Sequence, residues 1–192
     1  MGREFELKYR ATPQIHQAVC QEIGGFQKIE METTYFDTAD GLLAAQKITL
    51  RLRKENGISV CTLKTPLSDG SSGEWECHAQ DILSGLTKLR ELGAPQISQA
   101  LNPQQLRSVC GARFVRLVTR IPTADGTAEL ALDSGVLLGG GKEMPLCELE
   151  LELKTGSDQA TQAVADRLAA QYQLQTEPHS KFRRAQRLAS GE

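Results

Sequence analysis

The sequence predicts a mainly β (α+β) protein in which about eight antiparallel strands close into a barrel with a few flanking helices. Three observations predict this class. Short segments alternate between apolar and charged residues with the period of a β-strand. Turn-forming residues separate these segments at short spacing. The connections are mostly local, which is typical of an antiparallel sheet or barrel.

The first third of the chain contains a strand, a helix and a hairpin. Residues 3–10 alternate charged and apolar side chains, which predicts the first strand. Residues 13–24 have helical spacing and end on a glycine pair, a common helix C-cap. Residues 31–47 predict a strand, a turn and a short helical piece. Residues 48–65 form the clearest hairpin, because two alternating runs flank Asn56–Gly57, a favoured tight-turn pair.

The rest of the chain continues the pattern of strands with a few helices. Further strands are predicted at residues 73–80, 112–123, 127–135 and 145–156. Residues 81–109 are predicted to be helix or loop, with breaks at Gly93, Pro95 and Pro103. Residues 157–173 predict a helix with Ser157 as its N-cap, and the basic tail at 180–192 is also predicted to be helical.

Length and composition indicate one globular domain, residues 1–192. The chain has 192 residues, 40% hydrophobic and 24% charged, and a formal net charge of −2. This near-neutral balance favours neither nucleic acid nor a membrane as partner, so an electrostatic function would depend on local segregation of charge. No apolar run approaches the roughly 20 residues of a membrane span, and the charged N-terminus does not resemble a signal peptide.

The cysteines and histidines do not indicate a metal site on sulfur or imidazole. Five cysteines lack any CxxC spacing, and the three histidines are isolated from one another. We therefore expect reduced thiols and a cytoplasmic location.

Acidic and basic side chains are segregated on the predicted strands. Glu4, Glu6 and Lys8 share one face of the first strand, and Arg51 and Arg53 share a face of another. A solvated outer face is the ordinary explanation for charged strands. These faces, however, are nearly pure acid or pure base, and such clusters need counter-ions. A divalent metal satisfies a carboxylate cluster, and phosphate satisfies a cluster of arginine and lysine.

If the charged faces point inward, the barrel would enclose an acidic patch beside a basic one. A barrel of about eight strands has room for one small ligand. Carboxylates suit hard cations such as Mg²⁺ and Mn²⁺, and guanidinium and ammonium groups suit phosphate oxygens. The predicted ligand is therefore a short, highly anionic polyphosphate with its metal.

The ordered set of charged motifs resembles the CYTH family, also called the triphosphate tunnel metalloenzymes. The resemblance runs from residue 3 to about 185 and rests on EFELK (4–8), YFDT (35–38), LRLR (50–53), Lys64, the acids of GEWEC (73–77), Asp133, CELELEL (147–153) and the late SK (180–181). The segment 145–156 most resembles the bacterial inorganic triphosphatase branch, in which a helical CHAD domain often follows. The resemblance therefore implies an eight-stranded tunnel. It leaves two alternatives for this chain: a stand-alone member, or a domain whose partner is a C-terminal CHAD domain.

The resemblance implies a role for each matched position. The implied catalytic residues are Glu76, Asp133 and Lys8. The implied phosphate-binding residues are Lys8, Arg51, Arg53, Lys64, Arg116, Arg120 and Lys181. The implied metal ligands are Glu4, Glu6, Asp133, Glu148 and Glu150. Glu74 is expected to line the lumen, and Glu152 and Lys154 are expected at its mouth.

One position departs from the family pattern. The family often has a lysine two residues before the strand arginine Arg116, and here that position is Phe114. Arg113 and Arg120 are both candidates to compensate. Arg120 is favoured because it shares a strand face with Arg116, whereas Arg113 lies on the other face.

The implied function is metal-dependent hydrolysis of inorganic triphosphate to pyrophosphate and phosphate. The alternatives within the family are a thiamine or nucleoside triphosphatase and an adenylate cyclase. An aromatic content of 5% favours a bare phosphate chain over a substrate with an organic group. Outside the enzymes, the alternatives are a polyphosphate-binding module without turnover and a β-rich scaffold with solvated charged strands.

Overall fold

A computed structural model of the protein describes residues 2–94 and 101–191. The strands in these ranges are β1 (Gly2–Glu4), β2 (Glu6–Arg10), β3 (Gln27–Asp37), β4 (Thr49–Glu55), β5 (Ile58–Pro66), β6 (Ser72–His78), β7 (Arg107–Pro122), β8 (Thr127–Gly139), β9 (Lys142–Thr155) and β10 (Gln175–Thr176). The helices are α1 (Pro13–Ile23), α2 (Leu42–Ala45), α3 (Ile82–Glu91), α4 (Asp158–Tyr172) and α5 (Lys181–Ser190). The predicted break at Pro95 lies outside the described residues.

The strands form one antiparallel sheet that closes through the N-terminal segment. The strand order is β1-β6-β5-β4-β3-β7-β8-β9-β2-β10. β1 pairs with β6 and β2 pairs with β9, so the N-terminal segment joins the two ends of the sheet. Phe5 separates β1 from β2, and its carbonyl accepts a hydrogen bond of 3.0 Å from the Leu153 amide. The predicted mainly β, antiparallel class is confirmed, but the hydrogen-bonded sheet is a half-barrel with its ends at β1 and β10 rather than the predicted closed barrel.

The strand count differs from the predicted eight for two local reasons. The predicted first strand is interrupted at Phe5 and counts as two, and the two-residue β10 pairs with the outer edge of β2. Closure therefore depends on chain continuity at Phe5 rather than on an unbroken hydrogen-bonded ladder.

Turn and cap chemistry sets the element boundaries. The β4–β5 hairpin turns at Asn56 (φ 48°) and Gly57 (φ 87°), as the Asn-Gly pair predicts. α1 ends at Gly24 with φ 70°, a conformation that glycine adopts without steric strain. The hydroxyl of Ser157 accepts the Ala160 amide at the start of α4.

The hydrophobic core lies between the outer surface of the sheet and the helices. Leu149 and Leu151 of β9 are fully buried in one cluster with Leu168 of α4. Trp75 faces away from the barrel interior and is buried in a second cluster that includes Leu86 of α3. This arrangement leaves the inward positions of the same strands to the charged residues. Among the described residues, the helices include none that is both long and apolar enough to cross a membrane.

The β8–β9 turn fixes the position of α5. A Cβ atom on Gly139 would lie 2.3 Å from the backbone oxygen of Ala185, and one on Gly140 would lie 2.9 Å from that of Ala189. The helix can approach the turn this closely only because both positions lack a side chain.

Candidate active site

The inward faces of the strands and the start of α5 surround a cavity of about 390 Å³, the tunnel cavity. Its charged lining consists of Glu4, Glu6, Lys8, Arg51, Arg53, Glu55, Lys64, Glu74, Glu76, Arg116, Glu129, Glu150, Glu152, Lys154 and Lys181. Strand alternation places these groups inward, because the same strands carry their core leucines on the opposite face. Acidic and basic groups thus face one another across a space suited to a small ligand.

Asp133, Glu148 and Glu150 form a buried acidic cluster on β8 and β9. Asp133 and Glu148 are direct cross-strand partners, and each of the three can present a carboxylate oxygen within 4.8 Å of the others. Asp133 and Glu148 have no exposed surface, and Glu150 is 7% exposed. Only Glu150 lines the tunnel cavity itself, so Asp133 and Glu148 lie behind its wall.

Arg116 and Lys181 neutralise this acidic cluster. The Arg116 guanidinium binds Asp133 through two hydrogen bonds of 2.8 and 2.7 Å and contacts Glu150 at 2.5 Å. The Lys181 ammonium lies 2.8 Å from Asp133 and 2.6 Å from Glu150, and it also contacts Glu148. Burial opposes ionisation of Glu150, but Lys181 and Arg116 outweigh it and hold the pKa of Glu150 well below its usual range.

The first turn of α5 places a second cation, Arg184, beside the acidic cluster, and the sequence did not predict this residue. The hydroxyl of Ser180 caps the helix by accepting the Arg183 amide, and Lys181 follows immediately. Arg184, three residues after Lys181, contacts Glu148 on the same side of the helix. The i, i+3 spacing of the two residues was the available signal.

Glu4 and Glu6 lie on either side of the interruption at Phe5 and have different partners. Both carboxylate oxygens of Glu4 accept hydrogen bonds of 2.6 Å from Lys64. Glu6 has Lys8 at 3.3 Å. Burial and then the neighbouring Glu150 carboxylate raise the pKa of Glu6 to about 7. Positive charge is therefore insufficient around Glu6 in particular.

The basic side of the cavity is built by β4 and β5. Arg51 lies 3.6 Å from Glu74, and Arg53 lies 3.6 Å from Glu76 and also contacts Glu55. The Nε atoms of both arginines are buried and have no hydrogen-bond partner among the described residues. Burial and then the adjacent Arg51 guanidinium lower the pKa of Arg53, so the positive charge of Arg53 is incompletely compensated.

Other implied residues lie at the edge of the cavity or outside it. Glu76 lines the cavity with 44% of its side chain exposed and accepts a 3.2 Å hydrogen bond from Thr62. Glu152 and Lys154 are paired at 2.9 Å in the lining. Arg120 is exposed and is not part of the lining, although its cross-strand partner Glu129 is.

Phe114 occupies the inward position before Arg116 where the family pattern often has lysine. Its ring centroid lies 5.4 Å from the Lys181 ammonium and 5.9 Å from the Arg116 guanidinium carbon. A cation–π contact thus takes the place of a further cation. Arg113 lies on the outer face and pairs with Glu143 at 3.2 Å.

A strip of apolar side chains also lines the cavity and was not identified from the sequence. The strip comprises Ile29, Met31, Tyr35, Phe114, Val118 and Phe182. The rings of Tyr35 and Phe182 lie 5.1 Å apart, so β3 contacts α5 inside the cavity. Ile29 precedes the strand predicted from residue 31, and this is why its inward position was missed.

A sequence model of the CYTH domain matches residues 2–185. The chain belongs to the CYTH domain family.

Known CYTH relatives resemble this chain at modest sequence identity. An inorganic triphosphatase of Haemophilus influenzae is 29% identical over 179 residues, which cover 83% of this chain but only 47% of that protein. The chain therefore spans about half the length of this relative.

Solved structures share the fold over nearly the whole chain. One is a Hippeastrum protein with a TM-score of 0.68 at 22% sequence identity; the match covers 100% of this chain and 97% of that protein. That protein was assigned as an adenylyl cyclase and is described as having a dominant triphosphatase activity. The protein PH1819 of Pyrococcus horikoshii has a TM-score of 0.66 at 20% identity, covering 98% and 99%. At these identities the likeness concerns the fold.

The carboxylates of this CYTH domain fit a hard divalent cation. Glu4, Glu6 and Glu150 line the same cavity with oxygen donors, which Mg²⁺ and Mn²⁺ prefer. The raised pKa of Glu6 reflects a shortage of positive charge that such a cation would remove. Asp133 and Glu148 also have suitable oxygens, but they do not line the cavity, and Arg116, Lys181 and Arg184 already contact them.

Proposed function

We propose that this CYTH domain hydrolyses inorganic triphosphate to pyrophosphate and phosphate in the tunnel cavity, with Mg²⁺ or Mn²⁺. Family membership and the named activity of the Haemophilus influenzae relative support a triphosphatase. The observation that carries the proposal is the convergence of the Arg51 and Arg53 guanidinium groups and the carboxylates of Glu4, Glu6 and Glu150 on the same cavity.

The basic side of the cavity would bind the phosphate chain. Arg51 and Arg53 line the cavity, and their guanidinium groups would donate N–H groups to phosphate oxygens. Lys64 lies near this pair on β5, while Lys8 and Arg116 approach from other strands. Lys181 would reach the chain of phosphates from α5. These contacts hold the substrate in one orientation, which is the main requirement for phosphoryl transfer.

The acidic side would hold the metal through Glu4, Glu6 and Glu150. When bound, a divalent cation neutralises phosphate charge and polarises the phosphoryl group that is attacked. The acidic cluster would contribute mainly by positioning. Asp133 is fully buried and contacts Arg116 and Lys181. We therefore propose that Asp133 orients these two cations and does not contact the attacking water.

Glu76 is the group best exposed to orient the attacking water. Its side chain is partly exposed within the lining, and one oxygen is fixed by the Thr62 hydroxyl. A carboxylate held in this way can accept a proton from a water that is aligned with the terminal phosphoryl group. Lys8 would stabilise the negative charge that develops on the phosphate oxygens.

The apolar strip supports a second candidate activity on triphosphates that carry an organic group. Ile29, Met31 and Val118 provide a surface that could contact a thiazole or a nucleobase, which a bare phosphate chain does not need. A thiamine or nucleoside triphosphatase is therefore the alternative.

Phosphate release from inorganic triphosphate, ATP and thiamine triphosphate, each with Mg²⁺, Mn²⁺ or EDTA, tests the proposal. We expect fast, EDTA-sensitive cleavage of inorganic triphosphate, much slower cleavage of the others, and loss of turnover in Glu6→Gln. The control Glu32→Gln changes an exposed acid outside the cavity lining and should stay active. Faster cleavage of an organic triphosphate would favour the second candidate. Absence of release from all three would overturn a hydrolase.

A further inference from the structure

A second concave surface lies behind the acidic cluster and is separate from the tunnel cavity lining. It has a volume of about 580 Å³ and lies between α5, the end of β2 and the start of β9; we call it the α5 groove. Its charged lining residues are Arg10, Glu177, Arg184 and Arg187, and Met144 and Leu188 supply apolar walls. Neither the implied family roles nor the proposed reaction uses this surface.

The α5 groove has more positive than negative charge. Arg10 and Arg184 converge on one carboxylate oxygen of Glu177, at 3.0 and 3.8 Å. Arg187 is exposed and makes no ion pair with a residue of the described ranges. The groove lining thus has three guanidinium groups and one carboxylate, which two of the three contact. A net positive charge remains when Glu148, which Arg184 contacts from behind the groove, is also counted.

The guanidinium groups also retain free donors. Arg10 uses Nε toward Glu177, its side chain is 61% exposed, and its terminal nitrogens point to no acceptor among the described residues. The terminal nitrogens of Arg184 contact Glu148 and Glu177, so the donors open to the groove are those of Arg10 and the exposed Arg187. Glu177 accepts hydrogen bonds from Arg10 and the His179 amide, and Arg184 lies 3.8 Å from it, so this one carboxylate is the shared counter-ion of both arginines.

We propose that the α5 groove binds a small phosphate anion, of the size of orthophosphate or pyrophosphate, as a second site outside the tunnel. Several guanidinium groups around one open space match the tetrahedral oxygens of phosphate, and arginine is the side chain best suited to this contact. A multivalent anion would offset the excess charge more completely than a single carboxylate. The Arg184–Glu148 contact connects this site to the acidic cluster.

Isothermal titration of the whole chain with pyrophosphate, and separately with orthophosphate, in EDTA tests the proposal. We expect two binding sites in the native sequence and one in the double variant Arg10→Ala, Arg187→Ala. The matched control is Arg183→Ala, which removes an exposed arginine from the same helix but not from the groove lining. This control should retain two sites. The two titrations distinguish the single phosphate from the diphosphate as the preferred anion.

A second background separates the groove from the tunnel. The double variant Arg51→Ala, Arg53→Ala removes two phosphate-binding arginines from the tunnel cavity. In this variant the α5 groove should bind pyrophosphate with unchanged affinity. Adding Arg10→Ala and Arg187→Ala should weaken that binding at least tenfold, while the thermal midpoint stays within a few degrees. One site in the native chain, or a second site that persists without Arg10 and Arg187, would overturn the proposal. Neither result depends on turnover, so failure here and failure of the proposed hydrolase are distinguishable.

Discussion

Two neighbouring acids of the N-terminal segment are in different electrostatic situations. The carboxylate of Glu4 is paired with Lys64, and this ion pair outweighs burial, so the pKa of Glu4 lies below its ordinary value. Glu6 is 3.3 Å from Lys8 but also faces Glu150, and burial and repulsion raise its pKa to about 7. Of these two carboxylates, Glu6 is therefore the one that an added positive charge would stabilise more.

The raised pKa of Glu6 predicts a pH dependence of stability. The folded chain binds a proton at Glu6 more tightly than the unfolded chain, so the free energy of unfolding falls as the pH rises from about 4.5 to about 7. Glu6→Gln removes this loss. In EDTA, the variant should gain on the order of 2 kcal/mol relative to the native chain between pH 5 and pH 8. Urea denaturation at the two pH values measures the difference.

The control for this prediction is Glu32→Gln, in which an exposed acid on another strand is neutralised. Its free energy of unfolding should follow that of the native chain at both pH values. A constant difference between Glu6→Gln and the native chain across this range would show that Glu6 titrates normally.

Arg53 tests the assignment of the basic side. Arg53→Ala removes a guanidinium whose Nε has no acceptor among the described residues, so substrate should lose charge-assisted hydrogen bonds. We expect the KM for inorganic triphosphate to rise about 10- to 100-fold, equivalent to about 1.5 to 3 kcal/mol, with a smaller change in kcat. Lys54→Ala, at the adjacent outward position where Lys54 faces Glu32, should leave KM unchanged. An unchanged KM in Arg53→Ala would remove Arg53 from the phosphate site.

At the scale of single elements, α5 both packs in the hydrophobic core and contacts the acidic cluster of the candidate active site. Its buried Phe182 and Ala185 belong to a core cluster, while Lys181 and Arg184 contact the acidic cluster. The two glycines of the β8–β9 turn permit this docking. A small shift of the helix would therefore move two cations away from three carboxylates.

Gly139→Ala should destabilise the protein through this contact. The added Cβ would lie 2.3 Å from the Ala185 oxygen, a backbone atom that can move only with the helix. We expect a loss of about 2 to 3 kcal/mol and a fall in turnover. The matched variant Gly141→Ala, in the same turn, has φ 74° and no atom within 4 Å of the new Cβ. It should lose only about 1 kcal/mol, and comparable losses in the two variants would reject a specific role for the α5 contact.

Local alternation explains why the sequence predicted the inward residues of each strand so well. The period of two is a property of the strand alone, so Glu4, Arg51, Lys64 and Glu150 could be assigned to one face before any partner was known. Arg120 has the correct face but lies beyond the paired region of β3, whose first residue Gln27 is opposite Val118. The strand end therefore leaves this side chain exposed, and alternation contains no information about such ends.

Tertiary docking accounts for the features that the sequence did not predict. The basic tail indicated a helix, but whether Arg184 faces solvent or Glu148 depends on how α5 packs against the β8–β9 turn. The interruption at Phe5 depends on two different partner strands, β6 and β9, that meet only in the closed sheet. These are long-range relations, and no short segment encodes them.

At the scale of the whole molecule, the net charge is only −2, yet many acidic and basic side chains line the interior of the sheet. Acids and bases from β1, β2, β4, β5, β6, β7, β8, β9 and α5 converge on one cavity of about 390 Å³. Each strand contributes only a few groups, and the closed sheet holds them at fixed positions. A ligand in the cavity therefore contacts elements from the N-terminus to α5 at the same time.

This convergence predicts that ligand binding stabilises the whole fold. Because the site exists only when the sheet is closed, inorganic triphosphate with Mg²⁺ should bind the folded state alone. At a ligand concentration about 100 times Kd, the free energy of unfolding should rise by about 2.7 kcal/mol and the thermal midpoint by about 5 to 10 °C. The titration should shift to higher concentration in Arg53→Ala and overlay the native curve in Lys54→Ala. A midpoint that does not move, or that moves equally in both variants, would mean that the charged interior is a structural feature rather than a binding site.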